Sequence, residues 1–207
     1  MAVSFDLFDT LVTADRPGEP WDAVAGALAA RGMEVPDGWE DAYRRSHLPV
    51  ERGAELSLVA HTEAALDSRG VDADRETVRE ALLAAFDGPV TVREGAVPAL
   101  RATAASGPVG ILSNCSLPGL VERTLDRAAL PVAFDAVVTS VGCGWRKPHD
   151  RAFEAVADRL GVAVTDLVHV GDDPRADGGG RTAGVTVVLT DDVPLSAFPS
   201  WLEGRCR

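Results

Sequence analysis

The sequence predicts an α/β fold, a doubly wound parallel sheet interrupted by an all-helical segment. Three observations predict it. From about residue 93 onward, short apolar runs alternate with helical stretches, the pattern of parallel strands covered by helices on both faces. A lone apolar run, Ala2–Phe8, opens the chain; it cannot be stable alone, so it belongs to the same sheet. Between them, residues 13–92 are rich in alanine and leucine at helical spacing, with no β-branched run. The expected division is a core of residues 1–12 and 93–207 and a helical segment of residues 13–92.

Taken in order, the helical segment contains stretches at Trp21–Arg31, Ala54–Arg69 and Asp74–Phe86, punctuated by Gly32, Pro36 and Gly70. Val97–Ala105 then reads as a helix and Pro108–Leu112 as a strand. Pro118–Ala129 is helical, Phe134–Thr139 a strand, and Asp150–Leu160 a helix. Leu167–Val170 is a strand, Arg175–Ala183 a helix, and Val185–Leu189 a final strand. That last run is almost continuously apolar, as a strand buried on both faces requires.

Composition narrows the function. The chain has 207 residues, 46% of them hydrophobic and 25% charged, with a net charge of −12. Such an acidic balance argues against nucleic acid, whose phosphates need a basic face. No run approaches the roughly 18 apolar residues that span a membrane, and the N-terminus lacks a signal-peptide pattern, so a cytoplasmic address is expected. Cys115, Cys143 and Cys206 have no metal-ligand spacing and read as free thiols. Arginine supplies 19 of the 20 basic residues. Either GC-rich coding or adaptation to salt accounts for that bias. Lys147 alone escapes it, which suggests a site needing a compact ammonium rather than a planar fork.

In an open α/β sheet, ligands bind beyond the carboxyl ends of the strands. Those ends carry Asp6 to Leu11, then Ser113-Asn114, then Lys147-Pro148, then Gly171-Asp172-Asp173 through Asp177. Carboxylates, a hydroxyl, an amide and the only lysine therefore converge on one edge. A carboxylate beside a hard cation and an ammonium can act as a nucleophile toward phosphorus. Short polar groups can bind the phosphoryl oxygens, where charge spreads in the transition state.

The chain resembles the haloacid dehalogenase superfamily. Four motifs match in order: Asp6-x-x-x-Thr10, Ser113-Asn114, Lys147-Pro148 and Gly171-Asp172-x-x-x-x-Asp177. The resemblance implies a Rossmann-like core with a helical cap. It implies that Asp6 is nucleophile and metal ligand, that the main-chain carbonyl of Phe8 is a second ligand, and that Thr10 positions substrate or nucleophile. Ser113 and Asn114 would bind the substrate anion, and Lys147 would hold Asp6 and the transferring group. Asp172 would ligate Mg²⁺, with Asp177 a further ligand or a holder of its waters. The expected partner is a small phosphorylated molecule.

One position departs from the pattern. Phosphatases of the family usually carry a second aspartate two residues after the nucleophile, as proton donor to the leaving group. Here that residue is Phe8, which cannot move a proton. Asp9 follows, and on an extended segment it would point to the other side. Three readings follow: a phosphatase with a good leaving group, or with Asp9, His47 or His61 as its acid; a dehalogenase, whose halide leaves without a proton; or a weakly active or non-catalytic member that binds a phosphometabolite or a partner. The metal-binding form of the fourth motif weighs against the dehalogenase.

Other candidates have blander readings. His149 and His169 read as structural; Trp21, Trp39, Tyr43 and Phe86 read as core of the helical segment. Trp145 would cover the site or simply pack. Gly178-Gly179-Gly180 lacks the context of a nucleotide-binding loop.

Overall fold

The computed structural model describes residues 1–205. Its elements run β1 (Ala2–Phe5), β2 (Val12–Ala14), α1 (Pro20–Ala29), α2 (Trp39–Arg44), α3 (Leu58–Asp67), α4 (Arg75–Phe86) and β3 (Val90–Val92). They continue with α5 (Ala96–Ser106), β4 (Val109–Ser113), α6 (Leu120–Ala128), β5 (Ala136–Thr139), α7 (Ser140–Cys143), α8 (Asp150–Leu160), β6 (Leu167–Gly171), β7 (Thr186–Leu189) and α9 (Phe198–Glu203).

The sheet has the order β5-β4-β1-β6-β7 and is parallel throughout. Residues alternate between its faces, as a period of two demands. Phe5, Ile111 and Val170 pack on one side with α5 and α9, where Phe5 meets Phe198 edge-on at 5.6 Å. Leu112 and Leu167 pack on the other, against Phe153 and Val156 of α8. Both faces are covered, so all four residues of the central strand β1 are buried. The chain leaves β1 toward β4 on one side and returns as β6 on the other. That reversal opens a crevice at the carboxyl ends of β1, β4 and β6.

The segment between β2 and β3 is built from α1 to α4, which share a core of residues such as Val24, Leu28, Trp39, Leu66 and Leu82. Asp74 caps α4 where expected, accepting the Thr77 N–H at 2.8 Å. Two features tie the segment to the sheet domain. The strands β2 and β3 pair antiparallel at its base. A strap at residues 53–58 docks beside Lys147: Glu55 N–H donates to Gly144 O, and Arg146 N–H to Gly53 O, both at 2.9 Å. The Glu55 carboxylate, 3% exposed, accepts from Arg146 and from the Ser140 hydroxyl.

Several elements differ from expectation. Residues 13–92 are not wholly helical at their ends, because Val12–Ala14 and Val90–Val92 form a ladder too short to leave a periodic signal. The helix expected over Ala54–Arg69 starts at Leu58, since the preceding residues serve as the strap. The helix expected over Arg175–Ala183 is only a 3₁₀ turn, Asp177–Arg181. Three successive glycines cost too much backbone entropy to hold an α-helix. The strand expected to reach Phe8 ends at Phe5. Helices α2, α7 and α9 carried no sequence signal strong enough to read.

Candidate active site

Lys147 is the centre of the site. Its ammonium lies 2.9 Å from Asp6 Oδ1 and 2.6 Å from Asp177 Oδ1, and its side chain is 1% exposed. Burial pushes the lysine toward its neutral form, but the charges of Asp6 and Asp177 outweigh it and raise its pKa. An ammonium held there stays charged. Asp6 is the open member of the trio, 14% exposed toward the crevice. Burial and the repulsion of Asp177, against the pull of Lys147, raise its carboxyl to about 6.

Asp177 is wholly enclosed. Its Oδ1 also receives His169 Nε2 at 2.9 Å, and its Oδ2 accepts the Asp173 N–H at 2.9 Å. Burial pushes Asp177 up, yet its bond to His169 and the Lys147 charge hold it well below the usual carboxylate range. His169 is neutral, because burial lowers its pKa. Its Nε2–H therefore donates to Asp177, leaving Nδ1 to accept the Ser4 hydroxyl at 2.8 Å. A buried chain thus runs from Ser4 through His169, Asp177 and Lys147 to Asp6.

Local sequence makes this geometry available. Ser4 and His169 are register partners on β1 and β6, on the face covered by α8, where His169 meets Phe153 edge-on. A Cβ at Gly171 would lie 2.2 Å from the Asp177 carboxylate, and one at Gly179 would lie 2.1 Å from Pro148 Cβ. The turn carrying Asp177 can approach Lys147-Pro148 only because those positions lack side chains. The Lys147-Pro148 peptide bond is cis.

One cavity of about 230 Å³ brings together Asp6, Phe8, Ser113, Asn114, Lys147, Asp172 and Asp177, with Asp9, Arg16 and Arg146 at its margin. Two of these side chains have further partners. The Asn114 amide spans the Lys147 main chain, its Nδ2 donating to Lys147 O at 2.9 Å and its Oδ1 accepting Lys147 N–H at 2.8 Å. Asn114 thereby positions Lys147, and it also lines the cavity. Thr10 is buried, is absent from the cavity lining and donates to Asp172 Oδ1 at 2.7 Å, so it orients that carboxylate.

Asp9 also departs from expectation. The chain there is no longer extended: φ is +63°, and the side chain reaches the cavity margin, 3.6 Å from Arg16. His47 and His61 bond the main-chain carbonyls of Ala42 and Tyr43, away from the cavity. Trp145 stacks on His149 at 4.2 Å and packs instead of covering the site. Burial raises the Cys115 thiol to about 11, too high for a thiolate nucleophile near neutrality. Cys206 lies outside the described residues.

Asp6, Asp172 and Asp177 each offer a carboxylate oxygen, and these atoms lie within 4.8 Å of one another. Hard oxygen donors of this kind suit Mg²⁺. Among them Asp6 and Asp172 have the freer oxygens, since Asp177 already serves Lys147, His169 and a main-chain amide. Sequence reading missed Ser4, His169 and Arg16. A histidine inside the apolar run of β6 was the available signal, because a buried imidazole needs partners.

Comparison with known proteins agrees with this geometry. A protein named phosphoglycolate phosphatase, from Rhodospirillum rubrum, is 35% identical over 198 residues, covering 91% of this chain and 78% of its own. Phosphatase MT3486 of Mycobacterium tuberculosis is 37% identical over 95 residues, and the match spans only 44% of that protein. The fold is shared with a 2-haloacid dehalogenase of Pseudomonas syringae pv. Tomato, at a TM-score of 0.66 and 21% identity, over 99% of this chain and 98% of that one. The model of the haloacid dehalogenase-like hydrolases matches residues 1–184, and with the crevice, the buried lysine and the acidic trio in place, the chain belongs to that family of hydrolases.

Proposed function

We propose that the protein is a Mg²⁺-dependent phosphohydrolase acting on a small phosphorylated molecule through an aspartyl-phosphate on Asp6. The observation that carries this reading is the Lys147 ammonium, held between Asp6 and Asp177 beneath an open polar cavity. The relatives named as phosphatases support it. Asp6, Asp172 and the Phe8 carbonyl would hold the metal, with Asp177 engaged through its waters. The bound ion would neutralise charge on the phosphoryl oxygens and on Asp6.

The protein's own groups carry the remaining work. Asp6 attacks phosphorus in line with the leaving oxygen, and Lys147 draws charge from both the carboxylate and the phosphoryl group. Ser113 contacts an equatorial oxygen. Asn114 and Asp177 keep the ammonium in place, and Thr10 keeps Asp172 aimed at the cavity. Water then attacks phosphorus, releases phosphate and restores Asp6. The segment spanning residues 13–92 serves as a cap that limits water and selects the substrate. The net charge of −12 and the small cavity favour a metabolite over a nucleic acid. Among the described residues no helix is long and apolar enough to cross a membrane.

The test is phosphate release from a panel of phosphate monoesters, with and without Mg²⁺. Wild type releases phosphate only with metal, and Asp6→Asn loses about 10⁴-fold or more of the rate. Release that survives in Asp6→Asn would falsify the nucleophile. Phe8 favours one other reading, hydrolysis of 2-haloacids, since halide needs no proton; absence of halide release without metal removes it.

A further inference from the structure

A second cavity, about 160 Å³, adjoins the polar one, and Phe8, Arg16 and Asn114 line both. It lies between the helical segment, β3 and the start of α6, and its walls are largely Phe8, Leu58, Phe86, Val90, Leu117 and Leu120. Three of its polar members are engaged elsewhere. Asp87 is paired with Arg127 at 2.5 Å, Thr124 donates to Leu120 O at 2.8 Å, and the Cys115 thiol faces Leu117 O. The chamber therefore offers mainly apolar surface, with Asp15 and Arg16 as charged groups in its lining, one step from the nucleophile.

Its size is informative. An apolar protein cavity of about 150 Å³ is known to stay dry and take up benzene. A six-membered ring matches this volume, and the six apolar side chains supply the surface it would cover. The second observation is Phe8, which stands where a proton donor would be needed and instead forms the wall shared by both chambers. An alkoxide leaving without a proton is poor. A phenolate, whose conjugate acid has a pKa of about 10 in tyrosine, leaves far more readily.

We propose that the apolar cavity receives the leaving group of the substrate and that this group is an aromatic ring, so that the substrate is an aryl phosphate monoester. The inference rests on the phosphohydrolase reading above and deepens it. In the first step the Asp6 carboxylate forms a bond to phosphorus as the phosphorus–aryl oxygen bond breaks. The phenolate keeps the bonding electron pair and takes its proton from water. A second water then cleaves the aspartyl-phosphate, giving inorganic phosphate. Overall, one water and one ester become one phenol and one phosphate. Arg16, whose guanidinium lies 5.2 Å from the Phe8 ring centroid, stands over the wall between the chambers.

Four measurements on the full chain with Mg²⁺ test the proposal: kcat/KM for acetyl phosphate, phenyl phosphate, phosphoglycolate and glycerol phosphate. Phenyl phosphate is expected to exceed phosphoglycolate and glycerol phosphate by about tenfold or more, the scale of burying one ring. In Leu120→Trp, which fills the cavity, the ratio of phenyl phosphate to acetyl phosphate turnover falls by a similar factor. Wild-type inhibition gives a readout free of folding concerns: phenylphosphonate competes about tenfold better than methylphosphonate. Turnover of acetyl phosphate with no preference for the phenyl ester, or equal inhibition by the two phosphonates, overturns the aryl assignment and leaves the hydrolase standing. No turnover of any of the four overturns both.

Discussion

Two chambers meet at Phe8, and they are built on opposite principles. The polar one is assembled from strand ends, and its charges are locked in a buried relay from Ser4 to Asp6. The apolar one is assembled from Leu58 and Phe86 of the helical segment, Val90 of β3, and Leu117 and Leu120 around the start of α6. On the proposed chemistry, one would fix where a phosphoryl group reacts and the other what is attached to it. A sheet edge supplies rigid, convergent chemistry, while a segment inserted between strands supplies shape. The difference teaches that the two can change independently, provided the shared wall at Phe8 is kept.

Lys147→Met gives the sharpest test of that independence. Removing the ammonium leaves Asp6 and Asp177 facing each other without a cation, so stability falls by about 3 kcal/mol or more. Phosphate release should drop by about 10³-fold or more, because the transition-state charge loses a preorganised donor. Urea unfolding and single-turnover phosphate release read the two effects. If the chambers are independent, the preference of Lys147→Met for phenylphosphonate over methylphosphonate persists; its loss would merge them into one site.

Metal response separates the chambers next. Adding Mg²⁺ at about 100 times its Kd should stabilise wild type by about 2.7 kcal/mol, seen as a rise in Tm. Asp172→Asn should lose that rise, since it removes a hard ligand from the polar chamber. Leu120→Trp should keep it, because the substitution lies in the apolar one. A rise of equal size in Asp172→Asn would exclude Asp172 as a ligand.

The smallest effect concerns pH. Without metal the folded Asp6 titrates near 6, above its ordinary value of 3.8. Between those values the unfolded chain has lost the proton while the folded protein retains it, so Asp6 makes stability fall as pH rises and then level above 6. Asp6→Asn, which cannot titrate, should therefore gain about 2 kcal/mol on wild type between pH 4 and pH 7. Parallel stability curves for the two proteins would show that Asp6 is not held neutral by its surroundings.

Much of this was readable before any coordinates. Asp6, Ser113 and Asp172 sit at the ends of apolar runs, and Lys147 follows the next strand after α7, so their convergence follows from a rule about sheet topology. The relay was not readable, because the pairing of Ser4 with His169 depends on strand register, which no local pattern encodes. The clasp of Asn114 on Lys147 is unreadable for a similar reason: its partner is a main chain 33 residues away. Asp9 was misplaced because an alternation rule was carried past the end of a strand into a turn with positive φ. The glycines after Asp177 looked empty in sequence, yet the approach of Gly179 to Pro148 explains one of them.

The isolation of Lys147 has a practical consequence. It is the chain's single lysine, and its side chain is 1% exposed. An amine-acylating reagent therefore finds no side-chain target on the folded protein, the α-amino group apart. Acylation at Lys147 becomes a clock for opening of the polar chamber, and its slowing by a bound ligand would measure how tightly that chamber is shut.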